Sequence, residues 1–236
     1  MTILITGASR GIGAELSLQL ANGKHKLILV ARSGEDLRKI AGECNQIAGS
    51  EVAVTLRYDL KDLLLDDHTF VEKLGEVTDE VDVLVNNAGM LIRKPLAEFK
   101  TDEMRSVFDI NVIAPAQLTR RCLPFLMRSS EASVINISSM AGMPGSRKFP
   151  GLSVYSASKG AMTTMTECLA EEFKDQNIRV NGLAFGAVQT KMLDEAFPGY
   201  VANTSAIEMG QFLAWFVTEG WRRFNGKVLP VSDSTP

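Results

Sequence analysis

The chain has 236 residues, with 25 Lys and Arg against 28 Asp and Glu, a formal net charge of −3. That balance argues against a nucleic-acid binder, because neutralising phosphates needs a basic surplus or a basic stripe. Hydrophobic residues make up 45% and charged residues 22%, the proportions of a globular core rather than of a disordered chain.

The first predicted strand, Thr2–Thr6, runs straight into the glycine loop Gly7–Gly13 and a helix over Gly11–Asn22. A second strand, Lys26–Val30, precedes Ala31 and Arg32 and a helix over Glu35–Ala48. The strand Glu51–Arg57 is followed by Asp59 and Leu60, then a helix over Asp67–Val77. The strand Asp82–Asn86 ends in Asn87-Ala88-Gly89, and one long helix is expected over Thr101–Met127, with Asn111 inside it. The strand Ala132–Ser138 opens a loop rich in Gly and Pro, Met140–Ser153, and a helix over Val154–Asp175. The strand Arg179–Ala184, a long loop over Gly186–Ser205, the helix Ala206–Thr218 and the strand Lys227–Val231 complete the pattern. Nearly all-apolar strands alternating with helices predict an α/β fold. The expectation is a Rossmann-type doubly wound parallel sheet of about seven strands, helices on both faces, forming one domain over residues 1–236.

No apolar run reaches the roughly 18–20 residues that span a bilayer. The opening Met1–Thr6 carries neither a basic segment nor a cleavage site, so a cytoplasmic protein without a membrane partner is expected. Three scattered cysteines (Cys44, Cys122, Cys168) and two histidines (His25, His68) support neither a disulfide framework nor a metal site.

Chemistry concentrates at strand ends. Gly7, Gly11 and Gly13 let backbone N–H groups approach a pyrophosphate at a helix N-terminus, although the spacing departs from G-x-G-x-x-G. The lesser alternative, taking the loop alone, is a structural turn. An NAD site would place an acidic residue near the end of the second strand. Arg32 stands there instead, and with Arg10 it would clamp a 2′-phosphate, which favours NADP(H) over the alternative of two solvated surface charges. Tyr155 and Lys159 lie four apart on one helical face. A phenol titrates near ~10, and a neighbouring ammonium would favour its ionisation. Ser139 closes a buried strand, where it would either bond a substrate oxygen or cap the loop. Asn111 sits where a helix disfavours Asn.

In this order the motifs resemble those of the short-chain dehydrogenase/reductase family over essentially the whole chain. The resemblance implies an oxidoreductase that transfers a hydride between NADP(H) and a small-molecule carbonyl or secondary alcohol. The alternative is a catalytically idle dinucleotide-binding sensor or scaffold. By resemblance, Gly7, Ser9, Arg10, Gly11, Ile12 and Gly13 cradle the phosphates, and Asp59 and Leu60 contact adenine. Asn87, Ala88 and Gly89 lie beside the adenosine ribose, and Val188 and Thr190 hold the nicotinamide carboxamide. Asn111, Ser139, Tyr155 and Lys159 match the catalytic tetrad, with Tyr155 and Lys159 also touching the cofactor and Asn111 holding a water for proton relay. Phe185-Gly186 replaces the family's usual Pro-Gly. Arg147, Lys148 and Phe149 lie in a lengthened loop, facing either solvent or an anionic or acylated ligand. A homodimer or homotetramer is implied through the helices bearing Val107, Ile110, Val112, Ile113 and Leu118 and Met162, Met165, Leu169 and Phe173, about half of which are expected in the core.

Overall fold

In the computed structural model, which describes residues 1–65 and 68–233, the strand β1 (Thr2–Thr6) is buried at all five positions. The expected start of the third helix, Asp67, lies outside the described residues. Around β1 stand β2 (Lys26–Ala31), β3 (Ala53–Arg57), β4 (Val83–Asn86), β5 (Ala132–Ser139), β6 (Ile178–Phe185) and, further along the chain, β9 (Val228–Val231). Their order is β3-β2-β1-β4-β5-β6-β9, and every pairing is parallel. The chain starts mid-sheet, winds outward to β3, then reverses toward β9. This is the doubly wound topology, and its reversal lies between β1 and β4. Ligands bind outside the carboxyl ends of the strands at such a reversal.

One face of the sheet is covered by α1 (Gly11–Ala21), α2 (Gly34–Ala48) and α8 (Ala206–Thr218), around a core that includes Leu16, Leu37, Leu213 and Phe216. The other carries α3 (Thr69–Gly75), α5 (Ala114–Leu126) and α6 (Ser153–Glu172), around Phe70, Leu118, Phe125 and Phe173. Two apolar layers explain why the strands read as nearly continuous hydrophobic runs.

Two expectations are corrected. The helix expected over 101–127 is broken: α4 (Thr101–Phe108) passes through one π-helical turn, Asp109–Ile113, before α5 begins. There the Ala114 N–H bonds to the Asp109 carbonyl, five residues back. Pro115 follows at once and has no N–H for the Asn111 carbonyl four residues earlier, so regular α geometry cannot be completed here. The stretch 186–205 is not loop throughout. It holds α7 (Lys191–Ala196) and two short strands, β7 (Val188–Gln189) and β8 (Thr204–Ser205), which pair with each other. Two-residue strands carry too little periodicity to read in advance.

The glycine loop is pinned by β4. Thr6 Oγ1 accepts the N–H groups of Asn87 (3.0 Å) and Ala88 (3.1 Å), and Asn87 Nδ2 donates to the Thr6 carbonyl at 2.9 Å. Gly13 leaves no room for a side chain, since a Cβ there would stand 2.4 Å from Gly7 O and 2.5 Å from Asn87 Nδ2. Gly13→Ala is therefore expected to cost about 1–3 kcal/mol of stability by overpacking. The shift of the urea midpoint measures it, and an unshifted midpoint would mean that the Gly7 backbone and Asn87 both yield freely.

Candidate active site

Ser139 ends β5 in register with Phe185 of β6. Its Oγ accepts the N–H of Ala141 at 3.2 Å and faces the phenol of Tyr155. Gly142 makes this meeting possible: a Cβ at that position would stand 2.5 Å from the Lys159 carbonyl carbon. The turn after Ser139 thus lies directly on the backbone of α6. Ser138, the other hydroxyl of the pair, is buried, donates to the Lys159 carbonyl at 3.0 Å and lies 3.3 Å from Thr163 Oγ1. It fastens α6 to β5 and does not face the cleft chemistry.

Tyr155 and Lys159 are both buried near the start of α6. The Lys159 ammonium donates to the Ile137 carbonyl at 2.8 Å and lies 6.0 Å from the Tyr155 ring centroid. Burial lowers the Lys159 pKa from 10.5 to about 8. Burial also dominates at Tyr155 and raises its pKa, while the Ser139 hydrogen bond acts in the opposite direction. The effect expected of the ammonium on the phenol is not among the causes here; burial is the larger one, and it raises the Tyr155 pKa.

Asn111 sits on the π-helical turn with its amide engaged. Its Oδ1 accepts from Met90 N at 2.7 Å, and its Nδ2 donates to Met90 O at 2.8 Å and Ser158 Oγ at 2.9 Å. Ser158 Oγ in turn donates to the Tyr155 carbonyl at 2.7 Å. The side chain is a brace between the segment after Gly89 and α6. Because residue 115 is proline, the Asn111 carbonyl has no N–H four residues on to accept. Gly89 lies over both partners: a Cβ there would be 3.4 Å from Asn111 Oδ1 and 3.6 Å from Lys159 Nζ.

On the other side of the reversal, Gly7 (φ +67°) and Gly11 (φ +58°) take left-handed conformations, Ser9 and Ile12 are half-buried, and Arg10 is exposed. Thr190 closes the loop from across the cleft, its Cγ2 3.6 Å from where a Gly11 Cβ would stand, with Val188 buried behind it. Asp59 and Leu60 follow β3, but the Asp59 carboxylate accepts Lys61 N–H at 3.0 Å and the Leu60 side chain turns into the core. Asp59 caps the turn after β3 through one carboxylate oxygen.

Two arginines escape a reading of the chain in one dimension. Arg57 stands beside Ala31 in the β2–β3 register, and its Nε donates to the Arg32 carbonyl at 3.3 Å. A Cβ on Gly34 would meet Arg57 Cδ at 3.1 Å and Arg38 Nη1 at 3.4 Å, so both side chains converge over that glycine. The strand register is the only signal for Arg57. The lengthened loop is self-tied: Lys148 Nζ donates to the carbonyls of Ala141 (2.9 Å) and Met143 (2.7 Å), and the Arg147 guanidinium lies 5.4 Å from the Phe149 ring centroid. Among the described residues, no group of three or more His, Cys, Asp or Glu side chains converges to hold a metal, and no helix is long and apolar enough to cross a membrane.

The family model for short chain dehydrogenases matches residues 1–200. This chain belongs to the short chain dehydrogenase family. It is 30% identical over 204 residues to the ketoacyl reductase HetN of Nostoc, covering 86% of this chain and 64% of that protein. It is 32% identical over 211 residues to the 3-oxoacyl-(acyl-carrier-protein) reductase FabG of Thermotoga maritima, covering 89% of this chain and 83% of that one. A short chain dehydrogenase of Shigella flexneri, solved in complex with NADP, superposes with a TM-score of 0.85 at 28% identity, covering 97% of this chain and 95% of that one. The family's members are oxidoreductases acting on small molecules, and this fold is theirs.

The buried Lys159 gives a pH signature. Unfolded, its ammonium holds the proton up to 10.5; folded, it releases it near 8. Between those values unfolding takes up a proton, so raising the pH favours the folded state. Relative to Lys159→Met, wild-type stability to urea should rise by about 2–3 kcal/mol between pH 8 and 10. Parallel pH profiles for the two proteins would contradict this.

Proposed function

We propose that this chain is an NADP(H)-dependent reductase of a small-molecule carbonyl compound, running in reverse as an alcohol dehydrogenase. The observation that carries the reading is the buried Tyr155 phenol facing Ser139 at the end of β5, with the Lys159 ammonium one turn along α6. A neutral phenol at physiological pH is a proton donor, the form that reduction needs.

When bound, the nicotinamide supplies or accepts the hydride. Tyr155 delivers the proton to the carbonyl oxygen as it becomes an alkoxide, and Ser139 donates a second hydrogen bond to that oxygen where charge develops. Lys159 binds the nicotinamide ribose and returns a proton toward Tyr155, and the Asn111 carbonyl is the acceptor for a water on that path. Asn111's amide holds Met90 and Ser158 in place, and Gly89, next to Met90, would lie beside a bound ribose. The glycine loop residues Gly7, Ser9, Arg10, Gly11, Ile12 and Gly13 would hold the pyrophosphate, with Asn87 and Ala88 fixing the loop and Val188 and Thr190 closing over the carboxamide.

The preference for NADP(H) is supported by charge. Arg32, Arg38 and Arg57 gather at the end of β2, Arg10 stands in the glycine loop, and among the described residues no carboxylate forms an ion pair with any of them. Glu35 and Asp36 lie in the first turn of α2, where they complement the helix N-terminus. The ketoacyl reductases among the relatives support a carbonyl substrate. We extend the proposal to a homodimer or homotetramer: Val107, Leu118, Met162 and Phe173 are buried within the chain, whereas Ile113 is exposed and Ile110, Val112, Met165 and Leu169 are only partly covered.

Two measurements test the reading. Tyr155→Phe is expected to leave NADPH affinity within about twofold while turnover falls at least a hundredfold, a loss in the range of general acid catalysis; retained turnover would overturn the mechanism. Arg57→Ala should weaken NADPH binding by about tenfold, the worth of one charge-assisted phosphate contact, and leave NADH unchanged. Equal loss for both cofactors in a fluorescence titration would remove Arg57 from the 2′-phosphate site.

A further inference from the structure

We propose that Arg93 is a positioning residue that latches the segment 188–203 across the substrate end of the cleft. The inference rests on the reading that Ser139 and Tyr155 mark the reacting carbonyl. β6 ends beside Ser139, so the segment that follows departs from the site itself. It passes the glycine loop at Thr190, turns through α7, and returns at Phe197. Three separate stretches meet there. The Phe197 ring packs edge-on to Phe149 with centroids 6.3 Å apart, and Phe149 belongs to the loop between Ser139 and Tyr155. The Arg93 guanidinium lies 4.2 Å from the Phe197 ring centroid, and its Nη1 donates to the Ala196 carbonyl at 3.0 Å. Arg93 itself belongs to the segment after Gly89. The strap is thus fastened to stretches that leave the carboxyl ends of both β4 and β5.

The anchor is fixed and the strap is light. Lys94, next to Arg93, donates its N–H to the Gly151 carbonyl at 3.1 Å and pairs through Nζ with Glu103 at 2.5 Å, in the cap of α4. Gly151 (φ +85°) leaves room for the arginine stem, since a Cβ there would meet Arg93 Cγ at 3.1 Å. The strap's helix has six residues, and Val201 beyond it is 79% exposed. A planar guanidinium can stack on a ring and still donate in its own plane to the adjacent carbonyl, a combination that an ammonium does not offer. One exposed stacking contact and one hydrogen bond bias the strap closed yet release it within a turnover.

Amide hydrogen exchange read by mass spectrometry, paired with steady-state kinetics, tests the latch. Arg93→Ala and Phe197→Leu should each raise exchange across 191–203 about tenfold while amides of β1 and β5 stay unchanged. Each should raise the KM of the carbonyl substrate several-fold with NADPH affinity held within twofold. The double variant should be no worse than either single one, because the contact is shared. Unchanged exchange in Arg93→Ala, additive effects in the double variant, or an unmoved KM would overturn the latch. A failure of the underlying reading shows elsewhere, as turnover retained by Tyr155→Phe, and leaves the exchange result to stand on its own.

Discussion

The Lys159 ammonium, 5% exposed, donates to the Ile137 carbonyl, and the geometry of the site is referenced to that contact. A buried cation is costly unless its protons find acceptors. The acceptor here is the backbone of β5 just before its carboxyl end. To reach it, α6 must lie with its first two turns against β5, and the turn after Ser139 must press onto the helix backbone at Gly142. Tyr155, one turn earlier on the same face, then meets Ser139. The reduced pKa of the lysine and the raised pKa of the tyrosine follow from the same burial.

Behind this contact a polar ladder crosses the core. Asn86 Nδ2 donates to Asn136 Oδ1 at 2.9 Å and to Thr119 Oγ1 at 3.2 Å, and Asn136 Nδ2 donates to Thr166 Oγ1 at 2.9 Å. It joins α5, β4, β5 and α6 through buried side chains. Such a network is directional where apolar packing is not, so it holds the register of helix against sheet. The Asn111 brace is a separate tie, joining Met90 to Ser158 of α6. The frame is thereby stiff under the reacting groups, while the stretches above it are tied by exposed contacts. The division suits an enzyme that must hold a proton donor still and yet exchange substrate and product.

Much was legible in the chain itself. Unbroken apolar strands alternating with helices dictate a parallel sheet, because both faces must be covered. The i, i+4 spacing of Tyr155 and Lys159 places them on one helical face whatever surrounds them, and the glycines at 7, 11 and 13 mark a tight turn between strand and helix. These are consequences of local periodicity and steric exclusion, which need no knowledge of distant neighbours. Tertiary structure alone decided the rest. Arg57 joins Arg32 and Arg38 only because β3 lies beside β2 in a particular register, and Arg93 meets Phe197 across 103 intervening positions. The break at Asn111 was written in Pro115, yet the role of the Asn111 amide depended on where Met90 and Ser158 came to rest. The direction in which the Tyr155 pKa moves turned on how deeply its side chain is buried, since desolvation is a property of the surrounding volume and not of spacing along the chain.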